Sequence, residues 1–282
     1  MDRPVPGGFD APLQSRERAM TKTSRYQAYQ PDASGHIHYS ADDNTVWHEL
    51  IMPQRARTER YCSRVFRDGL ETLRMPNDHI PQCREISEAL DSATGWQVTP
   101  VPALISFDRF YTLLAERRFP AASFIRSREE MDYLQEPDIF HEIFGHTPLL
   151  ANPTIAEFSH HIGELGCRAS ADYHVWLARL YWFTVEFGLI REGGEIRALG
   201  AGLASSASEL PWAVESEEPL RRPFDLIDVL RTPYRIDIHQ PAYYVLDDLE
   251  QLQALMGTDL LAAIDRARAL GLQAPLYAPK AG

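Results

Sequence analysis

The chain has 282 residues, 44% of them hydrophobic and 24% charged, which fits one large globular domain or two small ones, with room for a buried site. A net charge of −12 argues against a nucleic-acid surface, and no stretch approaches the roughly 18–20 continuous apolar residues of a membrane span. Cys62, Cys83 and Cys167 are odd in number and far apart, so neither a disulfide framework nor a paired-cysteine zinc site is expected, and a reducing, cytoplasmic location is.

The N-terminus mixes Pro, Gly and both charges and has no apolar core, so it does not read as a secretory signal. Asp2, Asp10 and Glu17 argue against a transit peptide. Residues 1–38 are read as a loose arm and 39–282 as one catalytic domain. Ser40 to Asn44 offers cap residues. Val46, Trp47, Leu50 and Ile51, then Tyr61, Val65, Phe66 and Leu70, recur at helical spacing, which predicts one amphipathic helix to about Leu73, ended by Pro76 and Asn77. Pro81 to Leu90 reads as a second helix ending near Gly95, and Trp96 to Leu104 as extended and Pro-broken. Phe107 to Arg117 is helical, opened by Ser106 or Asp108, and Ala122 to Ile125 is a short strand.

Further on, Glu157 to Leu165 is helical, and Ala171 to Phe187 is a long helix, apolar on nearly every face. Gly200-Ala201-Gly202 opens a small-residue loop into Ser205-Ser206. Phe224 to Leu230, Leu246 to Met256 and Leu260 to Ala269 are helical, while Tyr234 to Ile238 and Tyr243 to Val245 are extended. The expected class is mainly α with a few short β-strands (α+β), in a single domain.

The run Pro137-Asp138-Ile139-Phe140-His141-Glu142-Ile143-Phe144-Gly145-His146-Thr147-Pro148 places two histidines five residues apart. At about 100° per residue, positions i and i+5 fall roughly 140° apart on an α-helix, so both imidazoles meet one ion only if the helix ends between them. Gly145 is placed to end it, and Thr147-Pro148 to forbid its continuation. Downstream, Glu186 lies in the apolar run Leu180 to Gly188, where a buried carboxylate needs a cation: a metal, or an ion pair with Arg179 or Arg191. Two imidazoles and one carboxylate with open positions suit non-haem iron(II). Zinc hydrolysis with Glu142 as general base is the competing chemistry, although the histidine spacing departs from the i, i+4 pair of zinc peptidases. A metal-binding protein without catalysis is the bland alternative.

Three blocks, Gln135-Glu136-Pro137-Asp138 with His141-Glu142 and Gly145-His146, then Tyr181 to Leu189, then Gly200-Ala201-Gly202 with Ser205-Ser206, together resemble the tetrahydropterin-dependent aromatic amino acid hydroxylases. Within that family the match is close to the bacterial enzymes that hydroxylate phenylalanine. The resemblance runs from about Tyr39 to the C-terminus. It implies an Fe(2+) held by His141, His146 and Glu186, and a tetrahydrobiopterin or related pterin as cosubstrate with O2. Glu142 matches an acid beside the iron, and Tyr181 a residue next to it. Phe110 matches the aromatic that stacks on the pterin, with Leu104 and Ile105 supplying nearby backbone contacts. Arg126 matches the arginine that holds the amino acid's carboxylate. Asp138 is placed to orient a ligand or that arginine, Trp182 to wall the substrate pocket, and Ser205 to support an iron-ligand histidine and the substrate.

The resemblance also bears on substrate and assembly. Tyrosine hydroxylases of the family carry an aspartate where this chain has Ile236, and an aliphatic residue there favours L-phenylalanine; tryptophan stays open. Animal members carry a regulatory domain before the catalytic one and a tetramerising helix after it, and this chain has room for neither, so a monomer is expected.

Overall fold

The computed structural model describes residues 24, 26–131, 134 and 136–278. Most of the arm expected at residues 1–38 therefore lies outside the described residues. Ser40 opens the first helix, Ala41–Tyr61: its hydroxyl accepts from Asp43 N at 3.1 Å, and the Asp43 carboxylate accepts from Ser40 N at 2.7 Å. This helix does not run on to Leu73. It stops at Cys62, which bridges in parallel to Ala198, and a second helix, Arg64–Thr72, starts after Ser63. Both helices bury their apolar stripe in the same core, so spacing alone hides the break.

Helix Cys83–Thr94 ends on Gly95 in the left-handed region, at φ 75°. Ser106 caps helix Phe107–Ala115 through Arg109 N. Strand β1 (Gln97–Val101) pairs in parallel with β2, which is Arg118–Ala122 and not Ala122–Ile125. A larger sheet has the order β4-β3-β6-β5, from β3 (Leu189–Glu192), β4 (Glu195–Ala198), β5 (Leu220–Pro223) and β6 (Ala242–Leu246). β3 and β4 form an antiparallel hairpin around Gly193-Gly194, both at positive φ; the other two pairings are parallel. The segment expected to be extended at Tyr234 to Ile238 forms no strand; it is a bent loop.

Two segments depart from α geometry. Phe140–His146 is a π-helix that passes into an α-helical turn, Thr147–Leu150. The long helix ends as α at Tyr181 and continues as a π turn, Trp182–Glu186, closed by Phe187 N donating to Trp182 O at 2.7 Å. Each is tied by a buried threonine: Thr147 donates to Ile143 O at 2.6 Å and Thr184 to Leu180 O at 2.7 Å. Stacked and edge-on rings seat the first π segment, with Phe140 on Phe144 at 4.9 Å and Trp47 edge-on to Phe140 at 5.4 Å. Replacing Thr184 by Val exchanges the hydroxyl for a methyl and leaves a buried carbonyl one bond short. A loss of about 1 kcal/mol in urea unfolding is expected; unchanged stability contradicts the role given to this hydroxyl.

Candidate active site

Hydrogen bonding from i to i+5 widens the turn, so residues five apart come over one another. His141 and His146 therefore share a face without any helix stop. Pro148 stands in the first turn of the next helix, where its missing N–H costs nothing, so it does not block continuation. Gly145 serves close approach instead of termination: a Cβ there would lie 2.9 Å from Ala201 O and 3.3 Å from Ser205 Oγ.

The second π turn brings Glu186 to the same point. His141 Nε2 and His146 Nε2 are 3.1 Å apart, His141 Nε2 is 3.3 Å from Glu186 Oε1, and His146 Nε2 is 2.9 Å from Glu186 Oε2. Separations near 3 Å are those of neighbouring ligands around one ion bonded at about 2.0–2.2 Å. Of the two arginines the sequence offered Glu186, Arg191 meets Asp247 at 3.2 Å and Arg179 donates to Leu230 O at 2.8 Å. A carboxylate oxygen of Glu142 also lies within 4.8 Å of both imidazoles, so a second acid borders the same space.

The histidines are prepared for coordination. Burial lowers His141 to about 4, outweighing the pull of Glu186, so the ring is neutral near pH 7. Ser205 Oγ donates to Ala201 O at 2.9 Å and so accepts from His141 Nδ1 at 2.9 Å. That fixes the proton on Nδ1 and leaves the Nε2 lone pair facing Glu186 and His146. No acceptor fixes the His146 proton in the same way, since its Nδ1 is buried without a hydrogen-bond partner; with the proton on that nitrogen, the His146 Nε2 lone pair joins the other two, and this donor set fits a divalent metal.

Arg126 is 8% exposed and Asp138 is fully buried. Arg126 Nε and Nη2 donate to Asp138 Oδ2 and Oδ1 at 2.8 and 3.0 Å, and the same carboxylate accepts from Arg126 N and His141 N, both at 3.0 Å. Burial pushes Asp138 up, but the guanidinium and the two backbone N–H groups hold it below the usual carboxylate range. Asp138 thus joins the arginine to the ligand helix, and on the outer guanidinium edge Nη1 makes a long 3.4 Å bond to Met131 O, a weak contact that a charged ligand can displace.

A cleft of about 520 Å³ is lined by Arg126, His141, Trp182, Glu186, Ser205 and Ile236, among others. Trp182 is stacked on Tyr234 at 4.3 Å and meets Phe187 at a tilt, 4.4 Å away. Leu104, Ile105, Phe110, Glu142 and Tyr181 stand outside the wall of this cleft. Phe110 is half-buried and meets the buried Tyr181 edge-on at 5.9 Å; burial raises the Tyr181 hydroxyl, which lies 3.3 Å from Ser159 Oγ. The metal ligands are thus gathered with Arg126, Trp182 and Ser205; Phe110 meets Tyr181, whose hydroxyl feels the charges of Glu186 and Glu142, while Leu104 and Ile105 stand apart from the cleft.

Sequence reasoning passed over Glu209. An acid in a helix's first turn is ordinary on exposed helices, so nothing marked it. Here it is only 7% exposed and lines the cleft. Burial pushes it up to about 7, although Gln240 N and Tyr243 OH donate to its Oε1 at 2.7 and 2.8 Å.

Two outcomes follow from these carboxylates. Asp138→Asn leaves a buried guanidinium without its counter-charge; a loss of about 3 kcal/mol in urea unfolding is expected, and a change under about 0.5 kcal/mol contradicts the pairing. Glu209 has a raised folded-state pKa, so its stabilising contribution is present below about 4.5 and is lost as pH rises through about 7. The melting temperature of Glu209→Gln should therefore gain on that of the native chain between those pH values; a constant offset contradicts the shift.

Comparison with known proteins agrees with this geometry. The family model described as biopterin-dependent aromatic amino acid hydroxylase matches residues 1–270. The chain is 51% identical to the phenylalanine-4-hydroxylase of Vibrio cholerae, over 94% of this chain and 91% of that protein. The apo structure of the cold-active phenylalanine hydroxylase from Colwellia psychrerythraea superposes with a TM-score of 0.87 at 47% identity, covering 89% of this chain and 97% of that one. The Chromobacterium violaceum phenylalanine hydroxylase with bound oxidised Fe(III) superposes with a TM-score of 0.83 at 36% identity, covering 94% and 97%. By sequence and by fold, the chain belongs to the biopterin-dependent aromatic amino acid hydroxylases.

Proposed function

We propose that the chain is a phenylalanine 4-monooxygenase, converting L-phenylalanine to L-tyrosine with O2 and a tetrahydropterin at one iron(II) held by His141, His146 and Glu186. The observation that carries this reading is the convergence of two imidazoles and one carboxylate beside a cleft that holds a buried arginine. The similarity to bacterial phenylalanine hydroxylases supports it. When bound, iron and reduced pterin supply the oxygen activation.

The chain's own residues bind, orient and exclude water. Arg126 takes the substrate carboxylate on its outer edge while Asp138 holds the inner one. Trp182, fixed by its stacking on Tyr234, walls the substrate ring, and Ser205 keeps His141 in the coordinating tautomer. Phe110, with Leu104 and Ile105, forms the pterin side, where Tyr181 keeps its hydroxyl protonated and Glu142 borders the metal. Ile236 lines the cleft and gives a phenolic oxygen no hydrogen-bond partner, which favours phenylalanine over tyrosine.

Residues 39–282 form the catalytic unit, working as a cytoplasmic monomer. All three cysteines are free, as a reducing compartment requires, and among the described residues no helix is long and apolar enough to cross a membrane.

The test is product analysis with iron(II), reduced pterin and O2, offering phenylalanine, tryptophan and tyrosine separately. Tyrosine from phenylalanine, dependent on both iron and pterin, is expected. Hydroxytryptophan or dopa as the main product would overturn the substrate assignment, and turnover without oxygen would point to a hydrolase. Arg126→Ala should raise the phenylalanine KM at least tenfold; an unchanged KM removes Arg126 from the carboxylate role.

A further inference from the structure

Residues 232–241 contain neither helix nor strand, yet Ile236, Asp237, Ile238 and His239 all line the cleft. A wall without a ladder must be positioned by other hydrogen bonds. At its rim Ser208 Oγ lies 3.0 Å from His239 Nε2 and Arg235 Nη1 donates to Ala278 O at 3.1 Å, and inside Gln240, 1% exposed, supplies the buried bonds. Its side-chain Nε2 donates to Arg235 O at 2.7 Å and to Ile238 O at 3.2 Å, closing the loop on itself. Its backbone N donates to Glu209 Oε1 at 2.7 Å, and the same oxygen accepts from Tyr243 OH at 2.8 Å. Tyr243 lies in β6, between β3 and β5. Glu209 therefore ties the loop to the interior of the sheet and to helix Glu209–Glu215.

We propose that Glu209 and Gln240 form a clamp that fixes the Arg235–His239 wall, and that this clamp sets which aromatic side chain the cleft accepts. The proposal rests on the aromatic amino acid reading of the cleft. Glu209 and Gln240 are positioning residues: they act through Ile236, and neither needs to touch the reacting atoms. A carboxyl buried for two hydrogen bonds is costly where a wall has no need of precision. Apolar pockets discriminate by small changes in room, one methylene being worth about 10–200-fold. An unclamped Ile236 should admit the larger indole at the expense of the phenyl ring.

The test uses the full chain loaded with iron(II). Dissociation constants for phenylalanine and for tryptophan are measured by calorimetry in the native chain and in Glu209→Ala, Glu209→Gln and Gln240→Ala. Phenylalanine binding should weaken about tenfold in Glu209→Ala, and the preference for phenylalanine over tryptophan should fall by a similar factor. Glu209→Gln keeps an amide oxygen that accepts from Gln240 N and Tyr243 OH, so it should restore the native preference, which a general need for packing would not explain. Gln240→Ala should shift the preference in the same direction with Glu209 intact, and it carries the test if Glu209→Ala does not fold. An unchanged preference in the folded alanine variants, or a Glu209→Gln variant as altered as Glu209→Ala, would overturn the clamp. Because binding and not turnover is read, a native chain that hydroxylates neither amino acid would overturn the function instead.

Discussion

Three lone-pair-bearing atoms, two imidazole nitrogens and a carboxylate, meet at separations near 3 Å in a largely buried place. With both imidazole protons on Nδ1, these lone pairs repel in a medium that screens poorly unless a cation sits among them. Much of the local architecture serves that meeting. Both chain segments that bring the donors there are π-helical, and each is steadied by a threonine hydroxyl on a backbone carbonyl. Wider turns are uncommon and concentrate where function sets the geometry.

The same point organises its surroundings. Ser205 fixes the proton of His141 from the C-terminal end of a short helix, Ala201–Ala204, which replaces the loop expected there; it can approach because Gly145 has no Cβ and because Gly200 has none either, where a Cβ would sit 2.2 Å from Glu186 O. Asp138 spans from Arg126 to the backbone N of His141, so the arginine proposed to hold the substrate carboxylate and the histidine at the metal point share one carboxylate. Displacement of either is felt by the other. In such a pair the burial cost is offset only because every oxygen lone pair faces a donor.

Much of this was legible in the residues. Ser40, Ser106 and Gly95 marked helix ends correctly, since caps act through local hydrogen bonds and local φ. The ligand set was visible as two histidines and one acid in apolar surroundings, where an unpaired charge is untenable. The way the histidines meet was not visible. Reasoning at 100° per residue assumes α geometry and required a break at Gly145, whereas tertiary packing selects a wider turn that no propensity scale encodes. The three four-residue strands are too short to show alternation, although Gly193-Gly194 carried a hairpin signal. The break at Cys62 vanished because one core receives both helices. Glu209 and Gln240 were silent because their importance lies in partners 31 residues apart in the chain.

Iron K-edge X-ray absorption on the protein reconstituted with iron(II), compared with Glu186→Ala, bears most directly on the shared metal point. A shell of nitrogen and oxygen scatterers near 2.0–2.2 Å with two imidazole rings, and loss of stoichiometric iron in the variant, is the predicted result. Iron bound equally well without Glu186, or a shell holding fewer than two imidazoles, would contradict the account.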